Sequence, residues 1–299
     1  MHEVLLSQIK KGDIKSLARA ISFIDNEQQG HEDLLRSLQD DRSPKIIGIT
    51  GPPGAGKSTL VDALIDELIL EEKKVAVLCI DPSSPFNFGA LLGDRIRMSK
   101  WYTHPNVFIR SLATRGSMGG LSPKIIEITD VIKSAGFDHI LVETVGVGQS
   151  EIEIAGLAEV TVVVLVPEGG DEVQTMKAGL MEIADIFVVN KADRPGADMF
   201  VKNLQVMLAP AFHHKQVEIP IIKTIASQKE GIQELYDQLN KIIELHADNS
   251  KRSWLLAEKA YQLIQQKKMK GIDKRSLKAE IETLSKQPGF NLYKYLEGK

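Results

Sequence analysis

A glycine-rich motif at residues 51–59, with the sequence GPPGAGKST, restricts the folds that this chain can adopt. It fits the pattern G-x-x-x-x-G-K-[ST] and lies between an apolar run at 46–50 and an amphipathic stretch at 60–70. At such a junction of strand and helix, backbone N–H groups converge on phosphate oxygens and the amino end of the helix adds its positive dipole. We expect Lys57 to reach the β and γ phosphates of a nucleotide and the Ser58 hydroxyl to bind Mg²⁺. The predicted contacts are Gly51, Pro52, Pro53, Gly54, Ala55, Gly56, Lys57, Ser58 and Thr59.

Short apolar runs alternate with amphipathic stretches along most of the chain. The runs are rich in Val and Ile and lie at 46–50, 75–80, 107–109, 140–142, 160–166, 186–189 and 219–222. Strands that alternate with helices predict an α/β fold, in which a mainly parallel sheet is covered by helices on both faces. Hydrophobic residues make up 43% of the 299 residues, which is enough for a large core. Ligands of such sheets bind beyond the carboxyl ends of the strands, so functional residues are expected just after each run.

Helical segments flank the predicted α/β domain, which we place at residues 44–246. Segment 1–43 has apolar residues at helical intervals, broken by Gly12 and Asp13, which fit a turn and a helix N-cap. Segment 247–299 shows a helical pattern only, with Trp254 and Tyr261 on an apolar stripe. We expect this C-terminal helical arm to pack either on the core or on a second subunit.

Composition argues against several classes of protein. The chain has 37 Lys and Arg against 40 Asp and Glu, and a net charge of -3 does not favour binding to nucleic acid or to an anionic membrane. Cys79 is the single cysteine, which excludes an intramolecular disulfide and a thiolate metal cluster. The apolar stretches fall short of the about 18 residues of a membrane helix, and the N-terminus lacks the pattern of a signal peptide. A cytoplasmic protein is therefore expected, without nucleic-acid or membrane partners.

Carboxylates follow two of the apolar runs and occupy one loop. Asp81 ends the run at 75–80, Glu143 ends the run at 140–142, and Asp94 lies in the loop after Asp81. A Mg²⁺ ion bound to a triphosphate needs hard oxygen ligands. A single acidic residue at a strand end is often a cap or a solvated residue, but two beside a phosphate loop favour metal binding. The predicted metal ligands are Ser58, Asp81, Asp94 and Glu143.

The sequence Asn190-Lys191-Ala192-Asp193 matches N-K-x-D and ends the run at 186–189. Guanine presents an N1–H and an exocyclic amine that one carboxylate, that of Asp193, can accept together, whereas adenine lacks this amine. The tetrapeptide is common in loops, but its position after a strand and downstream of the phosphate loop favours GTP over ATP. GTP and Mg²⁺ are thus the predicted cofactors, with Asn190, Lys191 and Asp193 at the base.

Four further segments carry a family resemblance, and the two long ones, at 110–120 and 143–151, are more specific than the phosphate loop. They read DPSSP at 81–85, LGDR at 92–95, RSLATRGSMGG at 110–120 and ETVGVGQSE at 143–151. In these segments the chain resembles the MeaB/ArgK-type P-loop GTPases, the chaperones of adenosylcobalamin-dependent methylmalonyl-CoA mutase. The resemblance extends from about Gly12 to Ile232 and implies a GTPase that gates adenosylcobalamin loading and protection of this mutase or a close relative. It also implies a homodimer through the C-terminal arm, although the arm itself departs from the family pattern.

The resemblance further implies roles for individual positions. Glu143 begins the switch segment where Ras-like proteins use Asp, and Asp81, Asp94 and Glu143 would surround Mg²⁺ directly or through water. The sequence GGDEVQ at 169–174 resembles an additional mobile switch of the family, which brings Lys177 toward the nucleotide or the partner. Where the family usually has Ser-Ala-Leu against the guanine, this chain has Ile225, Ala226 and Ser227.

The residue that positions the attacking water stays open at this point. GTP hydrolysis needs a positioned water and charge stabilisation, and an arginine or lysine of the same chain can supply the latter. Val147 stands where Ras-type proteins have their glutamine, so slow hydrolysis without a partner is expected. The predicted catalytic residues are Lys57, Glu143 and Lys177. Gln149, Arg95 and Arg115 are further candidates, although an arginine in a glycine-rich loop more often binds carbonyls or a carboxylate.

Other functions are weighed against the chaperone hypothesis. A kinase linked to basic amino acid transport would use ATP or GTP and leave a phosphorylated product, and residues 190–193 argue against ATP. A nucleotide-dependent scaffold would bind GTP tightly and release no phosphate, even with its partner. A metal-delivery role for His213 and His214 is disfavoured, because adjacent residues of a helix do not share a face and no cysteine lies nearby.

Overall fold

The computed structural model describes residues 2–38, 44–81, 98–114, 121–122, 124–144, 154–168, 181, 183–215, 219–245, 257, 260–265, 267–269 and 271–296. For residues 81 and 210–215 it describes the backbone only. The chain divides into two compact units, Met1–Leu255 and Leu256–Lys299.

Strands and helices alternate through most of the first unit. The strands are β1 (Lys45–Thr50), β2 (Val75–Asp81), β3 (Val107–Ala113), β4 (His139–Glu143), β5 (Val160–Leu165), β6 (Ile186–Asn190) and β7 (Ile221–Thr224). The helices of this unit are α1 (His2–Lys10), α2 (Ile14–Asp25), α3 (His31–Arg36), α4 (Lys57–Leu70), α5 (Ile125–Lys133), α6 (Ala197–Lys215) and α7 (Ile232–Leu245). The second unit contains α8 (Lys274–Leu284) and α9 (Leu292–Leu296).

All strands join one 7-stranded sheet in the order β3-β2-β4-β1-β5-β6-β7. Every pairing is parallel, which confirms the predicted α/β fold. The first strand, β1, is central, with β4 on one side and β5 on the other. The chain therefore winds outward from β1 in both directions, and the carboxyl ends of all strands lie at one edge of the sheet. The residues that directly follow β1, β4, β6 and β7 meet at this edge.

Apolar side chains fill the space on both faces of the sheet. Val162 and Val164 of β5 belong to a cluster with α4 and α7, while Val163 of the same strand belongs to a cluster with α6. The two clusters differ because successive side chains of a strand point to opposite faces. On α4, residues such as Leu60 and Leu64 recur every four positions and are buried. Strands buried on both faces explain the continuous Val and Ile runs of the sequence.

The N-terminal helices belong to the first unit. Ile9, Leu17 and Ile21 are fully buried, so α1 and α2 contribute an apolar face to the packed part of the chain. The carboxylate of Asp13 accepts a hydrogen bond from the backbone N–H of Lys15 at 3.1 Å, and this N-cap starts α2 as the sequence predicts. These helices fold as part of the unit that carries the sheet.

The limits of two strands differ from the apolar runs in the sequence by more than one residue. The third strand extends to Ala113, past the predicted run at 107–109, because its backbone pairs with β2 whatever the polarity of its side chains. The last strand, β7, is displaced from the predicted run at 219–222 to Ile221–Thr224. Apolar patterning thus identified each strand but not its ends.

The second unit is helical in its described residues. In addition to α8 and α9, residues 260–265 are helical. The carboxylate of Asp273 caps α8 by accepting from the backbone N–H of Ser276 at 3.1 Å. None of the described side chains of this unit is buried, and Tyr261 is 62% exposed. Among the described residues of the whole chain, no helix is both long enough and apolar enough to cross a membrane.

Candidate nucleotide-binding site

The glycine-rich loop connects the carboxyl end of β1 to the amino end of α4. Gly51 has a φ of +136°, and a Cβ atom there would lie 2.1 Å from the backbone oxygen of Val164 in β5. Gly56 has a φ of +87°, and a Cβ atom there would lie 2.4 Å from Nδ2 of Asn190. Glycine is required at both positions, since the backbone is left-handed at Gly56 and approaches its neighbours closely at both. The loop is therefore held tightly between β5 and β6.

Lys57 is the first residue of α4 and is 6% exposed. Its Nζ atom donates to the carbonyl oxygens of Gly51 at 2.8 Å and Pro52 at 3.0 Å. These bonds hold the ammonium group across the loop, beside the positive end of the helix dipole. The combined positive charge is suited to bind the phosphates of a nucleotide.

Ser58 and Glu143 place two oxygen atoms beside the phosphate loop. The Ser58 hydroxyl donates to Oε1 of Glu143 at 2.7 Å, and both side chains are buried. Hard oxygen donors of this kind are the ligands that Mg²⁺ prefers, so the pair fits the predicted ion. Asp81 ends β2, which pairs with β4, but its side chain lies outside the described residues, as does Asp94. Within the described part of the chain, no three His, Cys, Asp or Glu residues group as metal ligands.

Thr144, the first residue after β4, is bonded to the end of β1. The Thr144 hydroxyl donates to the Thr50 hydroxyl oxygen at 2.9 Å, and the Thr144 N–H donates to the carbonyl of Ile49 at 3.0 Å. Both threonine side chains are buried. The backbone at Thr144 is thus anchored to the strand that leads into the phosphate loop.

Asn190 connects the phosphate loop to the end of β7. Its Nδ2 donates to the carbonyl oxygen of Ala55 at 2.9 Å. Its Oδ1 accepts from the Thr224 hydroxyl and from the N–H of Ala226, each at 3.1 Å. The side chain is 2% exposed, so these bonds form away from water. One amide group therefore sets the relative positions of three loops at the edge of the sheet.

The residues after Asn190 turn sharply over the phosphate loop. Lys191 has a φ of +57°, and its Nζ donates to the carbonyl oxygen of Gly54 at 2.7 Å. The N–H of Ala192 donates to the carbonyl of Thr224 at 3.0 Å. Asp193 follows in the turn and is exposed, so its carboxylate is accessible to a ligand.

Residues Ala226–Gln228 form a short 3₁₀ turn after β7. The N–H of Ile225 donates to the carbonyl of Glu230 at 3.1 Å, which closes this turn. Ala226 is buried and Ser227 is exposed. The turn lies next to the N-K-x-D segment because Ala226 bonds to Asn190.

An ion pair connects the N-K-x-D region to the segment after β5. The guanidinium of Arg194 pairs with the carboxylate of Glu168. A hydrogen bond from Arg194 lowers the pKa of that carboxyl. Because both side chains are about half exposed, this pair adds little to stability. Glu168 is the last described residue before segment 169–180.

A protein-family model matches most of this chain and identifies the kind of protein that carries the site. The model of the methylmalonyl-CoA mutase-associated GTPase MeaB matches residues 17–280. The chain belongs to the MeaB family. This membership confirms the resemblance drawn from the motifs. The match also continues past Ile232 to residue 280, so the expectation that the C-terminal arm departs from the family pattern is wrong for its part up to residue 280.

Individual relatives agree with the MeaB assignment. A protein of Pyrococcus abyssi with a provisional GTPase name is 46% identical over 270 residues, which are 89% of this chain and 82% of the relative. A fused isobutyryl-CoA mutase of Geobacillus kaustophilus is 35% identical over 237 residues, which are 75% of this chain and 22% of that protein. The crystal structure of an LAO/AO transport system kinase is similar, with a TM-score of 0.72 and 25% identity over 99% of this chain and 95% of that one. These matches support a P-loop GTPase fold of the MeaB type.

Sequence reasoning missed two residues of this MeaB-family site, Thr50 and Thr224. Both are polar, both lie at the carboxyl end of a strand, and both are at most 1% exposed. A polar residue that ends an apolar run could have been detected by the reasoning that selected Asp81 and Glu143.

Several residues that the sequence singled out lie outside the described part of the chain. Asp94 and Lys177 lie outside the described residues, and so does the proposed switch at 169–174. The side chains of His213 and His214 are likewise not described. The further hydrolysis candidates outside the described residues are Arg95, Arg115 and Gln149.

Proposed function

We propose that this MeaB-family chain binds GTP with Mg²⁺, hydrolyses it slowly to GDP and phosphate, and gates the cofactor loading and protection of an adenosylcobalamin-dependent acyl-CoA mutase. The position of Asn190 carries the proposal. Its amide contacts Ala55 in the phosphate loop at 2.9 Å and Ala226 beside the N-K-x-D segment at 3.1 Å. A nucleotide has its phosphates and its base at opposite ends, and Asn190 sets the distance between the two regions that would hold them.

The residues at the phosphate end would stabilise charge rather than form a covalent bond. Lys57 points its ammonium across the loop, where it faces the β and γ phosphates of a bound nucleotide. Ser58 and Glu143 supply oxygen ligands for Mg²⁺, and Asp81 and Asp94 complete the proposed set. When bound, Mg²⁺ neutralises charge that develops on the phosphate oxygens. Lys177 is the proposed catalytic residue of the segment after Glu168.

The residues at the base end would select guanine. The exposed carboxylate of Asp193 accepts hydrogen bonds from N1–H and the exocyclic amine together, which adenine cannot offer. Lys191 covers the phosphate loop through its bond to Gly54. Ile225, Ala226 and Ser227 approach the base from the turn after β7.

The partner is proposed from the family name and from one relative. A fused isobutyryl-CoA mutase contains a stretch similar to this chain within a much longer polypeptide, since the match covers 22% of it. Physical linkage in one protein supports association of separate chains in another. We propose methylmalonyl-CoA mutase, or another acyl-CoA mutase of the same chemistry, as the partner of a cytoplasmic homodimer formed through segment 247–299. The nucleotide would bias segments 145–150 and 169–180, which follow Thr144 and Glu168 in the sequence.

The test is phosphate release from GTP and from ATP with Mg²⁺, alone and with purified methylmalonyl-CoA mutase or isobutyryl-CoA mutase. We expect slow turnover of GTP only, accelerated by a mutase and abolished by Lys57→Ala. The matched control is Lys202→Ala, which removes the same group from an exposed position of α6. A phosphorylated product with equal use of ATP would instead identify a kinase. Tight GTP binding without phosphate release, even with a mutase, would identify a scaffold.

A further inference from the structure

The turn after β7 ends in a left-handed residue, Lys229. Its φ is +60°, a conformation that glycine adopts freely but that is strained for a residue with a side chain. Its N–H donates to the carbonyl of Ala226 at 3.3 Å, and the N–H of Ile225 donates to the carbonyl of Glu230 at 3.1 Å. Strained residues persist where surrounding contacts impose their conformation. The Lys229 side chain supplies such a contact.

The Lys229 ammonium pairs with a carboxylate of α4. Its Nζ lies 3.1 Å from Oδ2 of Asp66, whose side chain is 19% exposed. The same oxygen accepts from Nζ of Lys100 at 3.0 Å, and Lys100 also pairs with Asp62, one helical turn earlier, at 3.0 Å. An isolated exposed ion pair contributes little, but a network of several charges can contribute more. Asp66 is therefore held in place for Lys229 by the rest of this network.

The ion pair joins the turn to the helix of the phosphate loop. The turn at 226–228 packs against α4, and Ala226 belongs to the apolar cluster that includes residues of this helix. Lys229 itself is exposed, so its bond to Asp66 adds a contact at the protein surface. Since α4 begins at Lys57, these contacts fix the turn on the element that would hold the phosphates.

The other turn at the base end uses a lysine in the same way. Lys191 has a φ of +57°, and its Nζ donates to the carbonyl oxygen of Gly54 in the phosphate loop at 2.7 Å. Each turn that would face the base thus contains a left-handed lysine whose ammonium bonds back toward the phosphate end. This repeated arrangement favours a role for Lys229 in placing the base.

We propose that Asp66 and Lys229 are positioning residues for the guanine base. Their ion pair would hold turn 226–228 against α4, so that Ala226 and Ser227 meet the base while the phosphates lie at the start of the same helix. The inference rests on the proposed binding of GTP and adds what sets the position of one of its base-facing turns. Loss of the pair should therefore weaken binding of the base and leave binding of the phosphates unchanged.

The test is calorimetric titration of GDP and of pyrophosphate, each with Mg²⁺, into the full chain and its variants. Lys229→Gln and Asp66→Asn should each bind GDP about three- to fivefold more weakly, and the double variant should lose little more than either single variant. Pyrophosphate has no base, so its affinity should stay the same in all of them. A general loss of structure would instead weaken both ligands.

Two further variants serve as controls. Lys223→Gln removes another ion pair, in which Lys223 of β7 lies 2.9 Å from Asp198 and is 52% exposed, against 54% for Lys229. This variant should bind GDP as tightly as the unaltered chain. Lys229→Gly removes the ion pair but also relieves the strained φ. Its melting temperature should stay close to that of the unaltered chain, while its affinity for GDP falls as in Lys229→Gln.

The inference is overturned if Lys229→Gln binds GDP as tightly as Lys223→Gln, or if pyrophosphate loses as much affinity as GDP. It is also overturned if the losses of Asp66→Asn and Lys229→Gln add fully in the double variant, because independent effects do not act through one pair. Lys229→Gln carries the test alone if melting shows that Asp66→Asn is unfolded. Equal binding of GDP and ADP by the unaltered chain would overturn the proposed guanine selection, and this inference with it, which is a different result from equal affinities among the variants.

Discussion

Replacing Asn190 by alanine tests whether one amide holds the nucleotide site together. The change removes the bonds to Ala55, Thr224 and Ala226, which lie at 2.9, 3.1 and 3.1 Å. Its site is buried, so water does not readily replace the lost partner. The variant should therefore be less stable and should bind nucleotide more weakly.

The expected loss in the free energy of unfolding follows from the hydrogen bonds that Asn190→Ala removes. Each buried hydrogen bond contributes about 1 kcal/mol net, and a group left without a partner costs about 1–3 kcal/mol. The expected loss in the free energy of unfolding for Asn190→Ala is therefore about 3 kcal/mol. If nucleotide binding must restore the arrangement of the loops, the same free energy is lost from binding, and the affinity for GDP falls by up to about 100-fold.

The assay combines urea unfolding, followed by circular dichroism, with calorimetric titration of GDP in the presence of Mg²⁺. Asn203→Ala is the control, because Asn203 is exposed on α6 and the same atoms are removed. We expect the control to change stability by less than about 0.5 kcal/mol. The reasoning is refuted if Asn190→Ala loses less than about 1 kcal/mol of stability and binds GDP as tightly as the control.

Three further predictions concern the base, the phosphate loop and pH. Asp193→Asn should weaken GTP binding far more than it weakens ATP binding, and equal losses measured by competition titration would exclude base selection by this carboxylate. Gly56→Ala should lower the free energy of unfolding in urea by about 1–3 kcal/mol, because its Cβ would lie 2.4 Å from Nδ2 of Asn190 at a φ of +87°. The control for steric contact is Gly271→Ala, where the φ is +95° and nothing lies within 4 Å. For His139 the folded pKa of about 4 lies below the ordinary value of 6.5, so the unfolded chain binds more protons between these values. Stability should fall as pH drops from 6.5 to 4, and His139→Gln should remove part of this dependence in unfolding measured across that range.

Much of the fold was predictable because its signals are local. Runs of Val and Ile identify strands that are buried on both faces, and the predicted α/β sheet is the one observed. The ends of β3 and β7 were not predicted, because backbone pairing continues past the apolar side chains. The MeaB resemblance rested on contiguous motifs and is confirmed by the match over residues 17–280. The individual ligand and catalytic assignments stay predictions.

The sequence alone established the class of fold, the phosphate loop and the N-K-x-D segment, since each is encoded by neighbouring residues. The tertiary structure decided which of these segments meet. Ser58 bonds to a residue 85 positions away and Asn190 to one 135 positions away. Such contacts depend on the order of the strands across the sheet, which local patterning does not specify.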